Sequence, residues 1–337
     1  EYYTPEFAQI TGGCWTIDLW NTPQAAHQGD APDGNMKFYA CGDTIAPLYH
    51  EAFVVGWKEG STIRIYSDAI TQDSTQYHMR ALSSITTSEV GDPGNGVGYS
   101  KTEGYWSTPD SMVQGKIEYF VPGHQDTSVV IEKVTLWNTS GGALGDFILG
   151  EESDWDCDPD SSIDAGFIDT EYNMVYMTGD HVGTQNAAGL RVYNGSNSSY
   201  GARAVNGYDY AFSTLGWYPD TLYNKLQSIS GNLSVFSDST NGTEMRILNA
   251  FYGGTLNADD TLEICKVKTI SLTGQSGLRE LMDKGFAFIE NYELCAAEIP
   301  CQGLCGDAND DQAVNVSDAV WIINYVFIGG AQPEPVL

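Results

Sequence analysis

Positive charge is scarce. The chain has 337 residues, with 15 Lys and Arg against 45 Asp and Glu, and a formal net charge of −30. Recognition of nucleic acid or of an anionic lipid surface needs cations that displace counterions, so neither is an expected partner. Long apolar runs are missing too. The longest, such as Ala319 to Ile323, fall well short of the roughly 20 residues that cross a bilayer as a helix, so membrane insertion is not expected. Catalytic and cofactor signatures are equally absent: no HExxH or HxH pair, no GxSxG in a strand-nucleophile-helix context, and no phosphate-binding Walker loop. The histidines His27, His50, His78, His124 and His181 stand singly, a distribution that scattered surface or core histidines explain. No stretch of 100 residues alternates strand and helix, which argues against a doubly wound nucleotide-binding fold. The first residue is Glu1, and no charged segment followed by an apolar one precedes the fold. We expect an extracellular or cell-surface chain whose signal peptide has been removed.

What is present is a foldable composition. Hydrophobic residues make up 42% and aromatic residues 12%, too apolar for acidic disorder. Gly 37 and Tyr 20 against only 18% charged residues favour many short strands and turns. Seven cysteines point to an oxidising compartment. Cys14 and Cys41 are plausible partners, and Cys295, Cys301 and Cys305 are close enough for local staples. Up to about Thr273 the dominant period is two, as in Cys14 to Trp20, Thr62 to Tyr66, Gly115 to Phe120 and Val129 to Trp137. In such a strand Ile117 and Tyr119 share one face and Lys116 and Glu118 the other. Strands of this kind between turn clusters predict a mainly β fold, a large antiparallel β-sandwich. Two helices interrupt it. Pro219 to Leu226 carries Pro in its first turn, where the missing N–H costs nothing. Gly277 to Tyr292, with Ser276 as cap, places Leu278, Leu281, Met282, Phe288, Ile289 and Tyr292 on one stripe and is expected to close the body. The expected division is a body over 1–294, a Cys-rich hinge over 295–305, and a distinct tail over 306–337.

In the tail, Asp307, Asn309, Asp311, Asn315 and Asp318 fall at loop positions 1, 3, 5, 9 and 12, with the carbonyl of Ala313 at position 7. Six or more hard oxygens wrapped around one point are what calcium requires. A helix from Ser317 to Phe327 follows and stops at Gly329-Gly330, giving an EF-hand-like loop-helix. The segment from Gly306 to about Gly330 resembles one repeat of a dockerin, the calcium-binding module appended to extracellular bacterial and archaeal proteins. Gln312 and Asp310 stand where that loop normally carries glycine, and a dockerin normally has two such repeats. The resemblance implies calcium as cofactor and a cohesin-like partner.

A second acidic cluster runs from Glu151 to Asp164, after an expected strand Leu144 to Leu149. No Lys or Arg occurs between Lys133 and Arg191, so its carboxylates have no cation nearby in sequence. Asp154, Asp156, Asp158, Asp160 and Asp164 are a candidate second calcium set, against the plainer reading of a solvated acidic loop. The same carboxylates could form a glycosidase pair, though sequence places none opposite another. Tyr99, Tyr105 and Trp106, or Trp217 and Tyr218, could stack on sugar rings, but in a sandwich such residues more often fill the core. Asn138, Asn194, Asn197, Asn232 and Asn241 stand in Asn-x-Ser/Thr sequons compatible with surface loops. With no catalytic constellation in view, the expectation is a secreted, calcium-binding, non-catalytic structural protein that assembles with itself as a filament or surface layer. The alternative is a dockerin-bearing carbohydrate-active enzyme or glycan-binding protein of a multi-protein complex.

Overall fold

The computed structural model describes residues 6–25, 36–40, 43–70, 76–155, 157, 165–181, 184–193, 200–206, 217–232, 245–295, 320 and 323. Its strands begin with β1 (Phe7–Gly12), β2 (Trp15–Trp20), β3 (Gln24–Ala25), β4 (Met36–Ala40), β5 (Asp43–Glu59) and β6 (Thr62–Tyr66). Next come β7 (Arg80–Ala81), β8 (Thr86–Asp92), β9 (Val97–Ser107), β10 (Val113–Pro122), β11 (Val130–Asn138) and β12 (Leu144–Trp155). The remainder are β13 (Ala165–Asp169), β14 (Met174–His181), β15 (Thr184–Val192), β16 (Gly201–Asn206), helix α1 (Pro219–Ile229), β17 (Met245–Leu256), β18 (Thr261–Ser271) and helix α2 (Gly274–Tyr292).

The strands form two nine-stranded antiparallel sheets. The first runs β1-β2-β3-β5-β12-β17-β16, with β4 beside β2 and β5 and with β6 on β5. The second runs β13-β14-β15-β18-β11-β10-β9-β7, with β8 on β9. Their inner faces meet in one apolar core: Trp15, Ile17, Phe53, Trp57 and Phe147 from the first pack with Trp106, Ile117, Tyr119 and Val134 from the second. The expected sandwich is therefore present, and the expected strand at Thr62 to Tyr66 matches β6.

Each outer face carries a helix, so some strands are buried on both sides. Leu222, Tyr223, Leu226 and Ile229 of α1 cover Ala52, Val54, Ile148, Leu248 and Ala250 of the first sheet. Leu278, Met282 and Ile289 of α2 cover Val129, Ile131, Cys265 and Val267 of the second. Burying three side chains of that size contributes roughly 5–9 kcal/mol before entropy is counted. This double cover is why Val129 to Ile131 are all buried rather than alternating. The α2 backbone comes close because residue 285 is glycine: a Cβ there would lie 2.6 Å from Val267 Cγ1. The helix starts earlier than expected, with Thr273 as its N-cap, and ends at Glu293 in the left-handed conformation. Just beyond, Cys295 is bonded to Cys265 of β18. The expected local staple is thereby corrected for Cys295. Cys41, Cys301 and Cys305 lie outside the described residues.

Two further expectations change. The strand expected to stop at Leu149 continues as β12 to Trp155, so the first part of the acidic run is strand and not loop. Asn138 is buried, and its amide donates to the carbonyls of Gly142, Leu256 and Asn257, a tie between two hairpins that excludes it as a surface glycan acceptor. Asn194, Asn197 and Asn241 lie outside the described residues.

The chain divides into two units, Glu1–Cys295 and Ala296–Leu337. In the second, Val320 and Ile323 are helical and exposed. The loop with Asp307, Asn309, Asp311, Ala313, Asn315 and Asp318 lies outside the described residues.

Candidate active-site face

Three neighbouring strands of the first sheet, β5, β12 and β17, carry charge on both faces at one level. The parity of β12 explains it. Phe147 and Leu149 point into the sandwich while Ile148 packs under α1, so Glu151 continues the inner set and Glu152 and Asp154 the outer. Register aligns the outer set across strands: Asp154 pairs with His50 of β5, and Ser153 with Ile247 of β17, which brings Arg246 beside Asp154.

On the outer face these side chains form a connected chain. Arg246 Nη1 lies 2.5 Å from Glu152 Oε1 and Nη2 lies 3.0 Å from Asp154 Oδ2. The other oxygen of Glu152 is 3.0 Å from His50 Nδ1. Glu152 is fully buried. Burial alone would raise its pKa, but the Arg246 charge and the His50 hydrogen bond hold it down to about 2, so it stays ionised.

Beyond His50 stands a second acid. Asp68 follows β6 in a segment fixed on both sides: Ser67 N–H donates to the Tyr77 carbonyl at 2.9 Å, and Trp217 N–H to the Ala69 carbonyl at 3.0 Å. Its Oδ1 is 3.7 Å from His78 Nδ1. Burial pushes the Asp68 carboxyl up to about 6, against the opposing pull of His78 and His50. Asp68 Oδ2 and His78 Nε2 are both buried without a hydrogen-bond partner among the described residues. Two such orphans on neighbouring side chains call for an explanation, and a ligand or water reaching them supplies one. A fixed carboxylate and an acid poised near neutrality on one face are what proton transfer requires.

On the inner face lies a separate cluster. Glu51 and Glu151 from the first sheet meet Glu132, Lys266 and Lys268 from the second, all fully buried. Lys268 Nζ is 2.5 Å from Glu51 Oε1 and 2.7 Å from Glu132 Oε2. Lys266 Nζ is 3.2 Å from Glu132 Oε2, 3.5 Å from Glu51 Oε1, and lies against Glu151 Oε2. The three carboxylates each offer an oxygen within 4.8 Å of the others, a spacing that suits a cation, but two ammonium groups already occupy it. Burial would raise Glu51, yet Lys266 and Lys268 hold it to about 2. Burial and the neighbouring Glu51 push Glu132 up. Three carboxylates facing two ammoniums carry one negative charge in excess, and a raised Glu132 pKa is the direction that relieves it.

The residues singled out by sequence are redistributed accordingly. Asp154 pairs with Arg246, a cation supplied from a distant strand, while Asp156, Asp158, Asp160 and Asp164 lie outside the described residues. Trp106 and Trp217 are fully buried core residues, whereas Tyr105 and Tyr218 are exposed. His50 and His78, read as isolated, both face Asp68. No local motif marks them, because the cluster exists only through strand register. The nearest signal was the alternation inside Glu151 to Asp154. Elsewhere, a groove of about 430 Å³ near Gln9, Thr11, Thr87 and Ser100 offers mainly hydroxyl and amide groups.

No family model matches the chain, and no curated protein matches it. Among solved structures, a bacterial glucoamylase complexed with acarbose aligns over 87% of this chain and 37% of its own, with 10% identity and a TM-score of 0.45. A putative aldose 1-epimerase from Escherichia coli K12 aligns over 80% of this chain and 100% of its own, with 7% identity and a TM-score of 0.40. A galactose mutarotase-like protein from Clostridium acetobutylicum aligns over 81% and 99%, with 8% identity and a TM-score of 0.41. This chain thus spans 37% of the glucoamylase's length. At these identities the likeness is one of strand layout. The expectation of a non-catalytic, self-assembling protein is corrected: the structures that align with the chain are a glucoamylase, a putative aldose 1-epimerase and a galactose mutarotase-like protein.

Proposed function

We propose that the outer face of the first sheet is a carbohydrate site that moves a proton at a sugar oxygen. The observation that carries this is the pair of orphaned buried atoms, Asp68 Oδ2 and His78 Nε2, beside the fixed chain His50-Glu152-Arg246-Asp154. Asp68 is the proton donor, since its carboxyl is the one pushed toward neutrality. Glu152 remains an anion, and Arg246 holds it and Asp154 in place. The exposed ring of Tyr218 offers a stacking surface at the start of α1. The choice of sugar as substrate class is supported by the dockerin-like tail, because such modules accompany carbohydrate enzymes. The test is calorimetric titration of a panel of monosaccharides and oligosaccharides into the full chain and into Glu152→Gln. Binding by the parent and at least tenfold weaker binding by the variant is expected. No heat with any sugar, or equal binding by a correctly folded variant, would overturn the assignment.

We also propose that Asp307, Asn309, Asp311, Asn315 and Asp318, with the carbonyl of Ala313, bind calcium, and that the tail attaches the body to a cohesin-like partner. Calcium that binds the folded loop alone raises its Tm. A melting curve unchanged by chelator would remove this reading.

A further inference from the structure

The inner-face cluster contains a nucleophile that the outer-face chemistry does not use. Lys266 on β18 and Glu151 on β12 come from opposite sheets and are fully buried. The Lys266 nitrogen sits nearer to Glu151 Oε2 than to its other carboxylate neighbours. Rings wall it in: Phe53 and Phe251 have centroids 4.5 and 5.4 Å from Nζ. The two lysines are not equivalent. Lys268 has two well-placed carboxylate partners, whereas neither buried oxygen of Glu151 has a hydrogen-bond partner among the described residues. The desolvation cost of Glu151 is therefore offset chiefly by its contact with Lys266.

We propose that Lys266 and Glu151 condense into an intramolecular amide that joins the two sheets through the core. The Lys266 ammonium first gives a proton to the Glu151 carboxylate, leaving an amine and a carboxylic acid. The Nζ lone pair attacks Cδ, the new C–N bond forms, and the tetrahedral centre expels one oxygen as water as its C–O bond breaks. No oxidant or co-reactant enters: one ammonium and one carboxylate give one amide and one water. Glu132, with Oε2 3.2 Å from Nζ, is placed to give its proton to the departing hydroxyl and to take in exchange the proton left on the attacking nitrogen. Two electrostatic effects favour the sequence, since burial lowers the pKa of Lys266 and raises that of Glu132, the directions needed for a neutral amine and a protonated relay. Preorganisation replaces an activating group, because reactants fixed in a dry site react at very high effective concentration. The product removes one positive and one negative charge from the core. What remains is the Glu51-Lys268 pair and a protonated Glu132.

The test is the intact mass of the full chain, denatured and with disulfides reduced. The expected mass is lower than the sequence mass by one water, and digestion should yield one branched peptide containing both Glu151 and Lys266. Lys266→Met should restore the full sequence mass. Glu132→Gln, which keeps the shape of the relay but not its acidity, should accumulate the uncondensed chain. A wild-type chain at full sequence mass after folding, or a water loss that maps to any other pair, overturns the proposal. The wild-type measurement decides the matter even if a variant fails to fold.

Discussion

Replacing Arg246 by Met removes the cation shared by Glu152 and Asp154 while keeping much of the side-chain volume. The magnitude follows from Glu152, whose pKa is lowered from 4.5 to about 2 in the fold, with Arg246 the largest favourable influence and burial opposing it. At about 1.4 kcal/mol per unit, that shift corresponds to about 3 kcal/mol of stability at neutral pH. Breaking a buried ion pair by deleting one partner typically costs about 3–5 kcal/mol, which brackets the same value. The sign sets the pH window. A carboxyl with a depressed folded pKa contributes its full stability above the unfolded value of 4.5 and loses it as pH falls through about 2. Urea denaturation of parent and Arg246→Met should therefore show the full gap at neutral pH and less than half of it near pH 3, a titration that integrates the linkage directly. A gap of equal size at both pH values would mean that Arg246 acts through packing. No gap at all would mean that the Glu152-Arg246-Asp154 contacts do not hold in solution.

Other consequences are simpler. Cys265→Ser opens the bond to Cys295, which closes a loop with a sequence separation of 30; on loop entropy alone the loss is about 3.5 kcal/mol, and a reducing agent should lower the parent's Tm to that of the variant. Asn138→Ala leaves the Leu256 and Asn257 carbonyls without their amide donor and should cost about 1–3 kcal/mol in chemical denaturation. Lys268→Met deprives Glu51 and Glu132 of their closest cation; a loss of about 3–5 kcal/mol is expected by the same assay.

The strands were legible wherever one face was wet, because period two then leaves a visible alternation, as in β6. Helix α1 was legible from Pro219, and α2 from its apolar stripe. What misled was charge within a strand. Glu151 to Asp154 reads as a loop because four acidic or polar residues in succession rarely belong to a core, yet here they split between two buried clusters on opposite faces of one sheet. Their neutralising partners come from far away in the chain: Arg246 lies 94 residues from Glu152, and Lys268 lies 217 from Glu51. No local scan of charge finds such pairs. The disulfide was missed for the same reason, since the nearest cysteines in sequence are not the nearest in space. His50 and His78 look isolated until the turn after β6 brings Asp68 between them.

The central claim is that Asp68 serves as an acid on the outer face of the first sheet. The measurement that tests it most directly is the pH profile of sugar turnover by the parent and by Asp68→Asn, with anomerisation and glycoside hydrolysis assayed in parallel. Because the Asp68 pKa is raised to about 6, the parent's rate should fall as pH rises through that value and the acid loses its proton, while Asp68→Asn should lose most activity together with that limb of the profile. A variant that turns over sugar at the parent's rate with the same pH dependence would contradict the account.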